Sequence, residues 1–178
     1  MTAPVEKSAI EPFVISRVFD APRVLVFKAF TEPERMQHWW GPRGCKVIAQ
    51  TMDLRPGGIY HYALQVADGN TLWGRFVYRE IAAPERIVCV TSFSDDKGGV
   101  THHPMSPNWP LEMLSTFIFE DVGSDRTKLT VIWVPISVSD AEREAFEAGR
   151  GSMTMGWTGT FERLEAYLTS LEDAGSAV

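Results

Sequence analysis

The side chains with chemistry to offer in this sequence are mostly aromatic. Tyr60, Tyr62, Phe76, Tyr78, Phe117, Trp133, Met153, Trp157 and Phe161 fall in stretches whose periodicity turns them toward one interior. Rings, a thioether and a few hydroxyls in that arrangement suit an apolar, planar guest oriented by one or two polar contacts. The same set also describes an ordinary aromatic core. Spacing leaves open whether the rings fill the space or line it.

Among the carboxylates, Glu80 continues the inward parity of Gly74, Phe76 and Tyr78. Burial there would raise its pKa and suit it to general acid or base work. Its place at a strand end fits a solvated or turn-bonding role as well. Asp53 precedes Arg55-Pro-Gly-Gly58 and is expected to fix that turn. The histidines, His38, His61, His102 and His103, fall into no His-x-His, His-Glu-x-x-His or Cys/His pattern, so no metal is expected. Neither a Gly-x-Ser-x-Gly elbow nor a phosphate or dinucleotide loop occurs. No cofactor is expected, and no residue is assigned a catalytic role. Cys45 and Cys89 lie in separate apolar runs and read as small buried hydrophobes in a reducing compartment.

A chain of 178 residues is one ordinary domain's worth of material. Its 44% apolar and 22% charged content describes a globular chain rather than a disordered one. The net charge of −6 argues against a nucleic-acid partner, which selects for a basic face. No apolar stretch reaches the ~18 residues that would span a bilayer, and the first residues lack the basic start and apolar run of a signal peptide. A cytoplasmic protein without membrane insertion is the expectation.

Residues 1–12 are polar with two prolines and read as a flexible arm, and residues 173–178 as a frayed end. Phe13 to Phe19 is a strand. Asp20 is placed to cap a helix from Pro22, and Thr31-Glu-Pro-Glu34 matches the capping-box pattern of a second short helix that ends at Gly41-Pro42. Strands come next at Cys45 to Leu54, Ile59 to Val66, Thr71 to Ile81, Ile87 to Phe93, Glu112 to Glu120 and Lys128 to Val134. The turn residues between them favour antiparallel pairing. Ser139-Asp-Ala-Glu142 is another capping box. From it an apolar stripe runs through Phe146, Met153, Trp157, Phe161, Leu164, Leu168 and Leu171, with a break expected near Gly149 and Gly151. The segment 95–110 is long for a connection, either a lid over a cavity or a plain hairpin loop.

The economical packing is an α+β fold: a curved antiparallel sheet of about seven strands wrapped on a long C-terminal helix, with two short helices after the first strand. Five short motifs fall in one order. They are Asp20-Ala-Pro22, Trp39-Trp-Gly-Pro42, Asp53-Leu-Arg-Pro-Gly-Gly58, Gly74 to Glu80-Ile81 followed by Pro84-Glu-Arg86, and Gly156-Trp157. In that order they resemble the START-like, or Bet v-like, helix-grip superfamily (SRPBCC). Within it they are similar to domains named for the activator of the heat-shock protein 90 ATPase. The resemblance covers residues 13–172 as a single domain. It implies a hydrophobic cavity between sheet and C-terminal helix that binds a small hydrophobic or amphipathic molecule such as a lipid or polyketide. It also implies two alternatives: a cyclase, aromatase or hydrolase acting on an apolar substrate, and a modulator of a chaperone ATPase. The chaperone role belongs to two-domain relatives, of which this chain has one domain. Oligomeric state is not legible.

Overall fold

Phe13–Phe19 alternates with period two, Phe13, Ile15 and Phe19 turned to the core and Val14, Ser16 and Val18 outward, and forms β1. The polypeptide then turns into α1 (Arg23–Thr31) and α2 (Pro33–Met36) before entering the sheet proper. The computed structural model describes residues 9–175. Of the arm expected over 1–12, residues 1–8 lie outside the described residues, as do 176–178 of the expected frayed end. Ile10 packs on the core, and Arg150 donates to the carbonyls of Glu11 and Pro12.

Neither expected cap forms on the short helices. The Pro22 carbonyl takes the N–H groups of Leu25 and Val26, and Asp20, two residues upstream, pairs instead with Arg126 at 2.9 Å. Thr31 is the last residue of α1 rather than a cap of α2. Its hydroxyl donates back to the Phe27 carbonyl at 3.0 Å, the usual recourse of a helical threonine. Both caps fail for one reason: α1 starts and ends later than the sequence pattern suggests.

The strands are β2 (Lys46–Met52), β3 (Ile59–Gln65), β4 (Thr71–Ala82), β5 (Arg86–Ser94), β6 (Val100–Thr101), β7 (Met113–Asp121) and β8 (Thr127–Pro135). They pair antiparallel in the order β1-β8-β7-β5-β4-β3-β2, with the two-residue β6 on the end of β5. Register sets the inner face: Tyr62 opposite Gly74, Phe117 opposite Val131, Phe119 opposite Leu129.

The final segment begins at its capping box. Glu142 N–H donates to Ser139 Oγ at 3.2 Å, and Ser139 N–H donates to Glu142 Oε2 at 2.7 Å, starting α3 (Asp140–Ala148). Gly149 closes α3, and α4 (Arg150–Gly175) continues across the concave face. The break has a packing reason: a Cβ on Gly149 would stand 2.5 Å from the Trp109 ring. Along α4, Met153, Trp157, Phe161, Leu164 and Leu168 are buried, one stripe at helical spacing.

Candidate functional site

The space between sheet and helix is filled at one end and hollow at the other. Under α1 and α2, Phe30 meets Trp39 at 4.6 Å, Phe117 at 5.2 Å and Phe119 at 5.3 Å between ring centroids, and the Trp39 indole donates to the Ala29 carbonyl. Toward α3 the layers part around a cavity of about 800 Å³. Tyr62, Phe76, Thr91, Phe93, Phe117 and Trp133 form its floor, and Met153, Trp157 and Thr160 its roof. Trp40 and Cys45 close one side, and His103, Met105 and Trp109 the other.

Of the residues expected at a binding site, Tyr62, Phe76, Phe117, Trp133, Met153 and Trp157 line this hollow. Tyr60, Tyr78 and Phe161 lie outside its lining. Tyr60 is buried with its hydroxyl donating to Gln50 Oε1 at 3.0 Å, Tyr78 is buried, and Phe161 packs edge-on against Phe19 at 5.7 Å. They belong to the packed end of the sandwich, where burial pushes both the Tyr60 and Tyr78 phenols up.

Glu80 does not face inward. The register slips between Tyr78, opposite Cys89, and Glu80, opposite Val88, so Arg79 is the extra residue of a bulge. One inserted residue reverses the parity of the strand beyond it. The Glu80 carboxylate lies on the outer side, half exposed, and accepts from Arg86 Nε at 3.1 Å. Asp53 accepts from Arg55 Nε at 3.1 Å within its own turn.

Among the described residues, no Asp, Glu, Lys or Arg lines the cavity. Its titratable groups are Tyr62, Cys45 and His103. Burial pushes the Tyr62 phenol up to about 12 and the Cys45 thiol up, while it holds the His103 imidazole down. Each shift favours the neutral form near pH 7, so the lining is uncharged there. The His103 ring takes the Met105 N–H on Nδ1 at 3.0 Å, which leaves its proton on Nε2.

The long 95–110 segment does more than connect strands. After β6 it folds back as a turn, bringing His103, Met105 and Trp109 to the cavity, and Trp109 packs on Phe146 of α3 at 6.0 Å. Met105 stays 88% exposed at this rim. Two other histidines serve elsewhere: His38 stacks on Tyr167, and His61 stacks on Trp73. Among the described residues no group of three potential metal ligands gathers.

Trp40, Thr91, Phe93 and Trp109 also line the hollow, in addition to the site residues that strand and helix parity select. The sequence signal for Trp40 is the Trp39-Trp-Gly-Pro42 motif. Its position is held by Arg163 of α4, whose Nη1 donates to the carbonyls of Trp40 and Gly41 at 3.0 Å each. A lone tryptophan in the otherwise polar 95–110 stretch is the available clue to Trp109.

Among solved structures, one from Mycobacterium smegmatis superimposes with a TM-score of 0.72 at 18% identity, covering 89% of this chain and 91% of that one. Another, from Nitrosomonas europaea, gives 0.72 at 21% identity over 94% and 99%. A solution structure from Staphylococcus epidermidis gives 0.65 at 26% identity over 94% of each chain. No curated protein matches the sequence. No described helix is long and apolar enough to cross a membrane. Residues 20–169 match the family described as Activator of Hsp90 ATPase homolog 1-like protein. With the sheet order, the paired short helices and the gripping C-terminal helix all in place, the chain belongs to that family.

Proposed function

We propose that this protein binds a small hydrophobic or amphipathic molecule in the cavity between the sheet and the C-terminal helix. The observation that carries this reading is a hollow of about 800 Å³ lined by aromatic and thioether side chains, with no charged residue among the described ones. Such a volume accommodates a drug-sized guest, and its burial would supply about 25 cal/mol per Å² of apolar surface before binding costs are met. Tyr62, Phe76, Phe117, Trp133, Met153 and Trp157 supply the contacts, and the Tyr62 hydroxyl helps orient the guest. The segment carrying His103, Met105 and Trp109 acts as the rim that admits it. Two free cysteines support a reducing, cytoplasmic setting.

An enzymatic role loses its most interesting carboxylate, because Glu80 lies on the outer face. The chaperone-ATPase reading rests on the family description alone. Nile red, a neutral dye that brightens in apolar surroundings, tests the proposal by titration and displacement. Saturable binding with native mass spectra showing one retained guest is the expected result. Absence of any apolar guest or probe at high micromolar concentration would overturn it.

A further inference from the structure

We infer that β1 is an interaction edge that pairs antiparallel with β1 of a second copy of this chain, about a two-fold axis through Ser16. This edge takes no part in the cavity, and the pairing is independent of what the cavity holds.

β1 closes one end of the sheet, and among the described residues its backbone bonds to β8 alone. An antiparallel strand turns alternate N–H and C=O groups to each side. The free side of β1 therefore presents a row of donors and acceptors with no strand to take them. Sheets protect such rows with charges, bulges or prolines. β2, at the other end of the sheet, has two of these devices: Lys46 at its start and a register slip between Val47 and Ala49. β1 has none. Its register against β8 runs unbroken from Phe13 to Phe19, and its one charged residue, Arg17, turns to pair with Glu165 of α4.

The residue pattern selects a second copy as the occupant. Opposed residues in an antiparallel pair share a face, so outward side chains must meet outward ones. A pairing centred on Ser16 engages all seven residues and sets Val14 against Val18 of the second copy. It covers two apolar side chains that are 57% and 39% exposed. Centring on Arg17 would oppose two guanidinium groups, and centring on Ile15 would leave Val18 and Phe19 beyond the other strand.

Charge fits at both ends of this register. Asp20, whose side chain is 87% exposed, falls opposite Pro12 of the second copy, and Arg150 is the residue that donates to the Pro12 carbonyl. Asp20 thereby meets Arg150 of the second copy, and symmetry makes that pair twice. Two seven-residue edges run together for about 24 Å and bury less than the ~1,200 Å² of a stable complex. The dimer is accordingly a reversible one, with a dissociation constant on the order of 100 µM.

Sedimentation of the full-length protein from about 5 to 500 µM tests this, spanning the range of weak complexes. Ser16→Lys and Ser16→Glu, at the exposed centre of the strand, are compared with the parent. The parent should pass from monomer to dimer as concentration rises. Each variant alone places like charges at the axis and should weaken the dimer at least about tenfold, while an equimolar mixture of the two should restore it. Should either not fold, Val14→Glu mixed with Val18→Lys gives the same reading, because those positions oppose each other. A parent that stays monomeric throughout overturns the inference and leaves the edge to a strand of another protein. A dimer that ignores both charges, or a mixture no tighter than either variant alone, overturns it by placing the contact elsewhere.

Discussion

The phenol ring of Tyr62 lies over Gly74 on the neighbouring strand, so closely that a Cβ at position 74 would stand 2.4 Å from the hydroxyl oxygen. The two residues are direct cross-strand partners on the inner face. The missing side chain at Gly74 lets Tyr62 settle onto the sheet, where it stacks at 5.0 Å on Tyr60 and forms cavity floor. A glycine inside a strand weakens it, and here the close approach of a ring accounts for its presence.

Gly74→Ala should therefore act on the cavity more than on the strand. The added methyl displaces Tyr62 toward the hollow, at a cost of about 1–3 kcal/mol of the kind seen on overpacking. Urea denaturation should show the loss, and Nile red affinity should drop in the folded variant. An unchanged affinity would mean that Tyr62 has no part in the floor.

Arg163 ties α4 to the turn that presents Trp40. Removing it as Arg163→Ala leaves the Trp40 and Gly41 carbonyls without their donor. A loss of about 2–3 kcal/mol is expected for hydrogen bonds from a charged group to partly buried acceptors. Arg163→Lys should recover only part of it, since an ammonium lacks the planar fork. Chemical denaturation of the two variants checks both statements, and equal stability of all three proteins would refute them.

Acidification should weaken the rim. Burial holds His103 below its ordinary value of 6.5, so the unfolded state takes up a proton more readily than the folded one. The stability tied to neutral His103 is complete above pH 6.5 and is lost as pH falls through the lower, folded value. Protonation would also place a hydrogen on Nδ1, which now accepts the Met105 N–H. In His103→Asn, an uncharged residue that can still accept, the fall in Tm between about pH 7.5 and 5 should be smaller than in the parent. An identical fall in both proteins would assign the pH dependence elsewhere.

Glu80→Gln should be nearly silent. The carboxylate is half exposed and paired with Arg86 across a solvated surface, so stability should change by about 0–1 kcal/mol. Guest binding should not change at all. A marked loss of binding would show that Glu80 reaches the cavity by some route other than the one its register allows.

The Ser139 capping box offers a purely local check. Ser139→Ala removes the acceptor of the Glu142 N–H and should cost about 1 kcal/mol, measurable as a lower urea midpoint. Because α3 roofs part of the cavity through Ala145 and Ala148, a modest drop in Nile red affinity should accompany it.

Local sequence determined the elements of this protein. Alternation along β3, β4, β7 and β8 sorted inner from outer side chains, the turn residues placed the hairpins, and the 139–142 pattern started α3 where it does. These depend on neighbours a few residues apart, and period and capping chemistry carry that information. Features beyond its reach depend on contacts between distant segments. The bulge at Arg79 turned Glu80 outward through one slipped pair between β4 and β5. Whether an inward ring lines a hollow or fills a core was settled by the layer above it. Tyr60 and Tyr78 fall in the packed end, and Tyr62 and Phe76 face open space. Parity along a strand assigns a side chain to a face, and only the packing of the opposite layer decides whether that face is met.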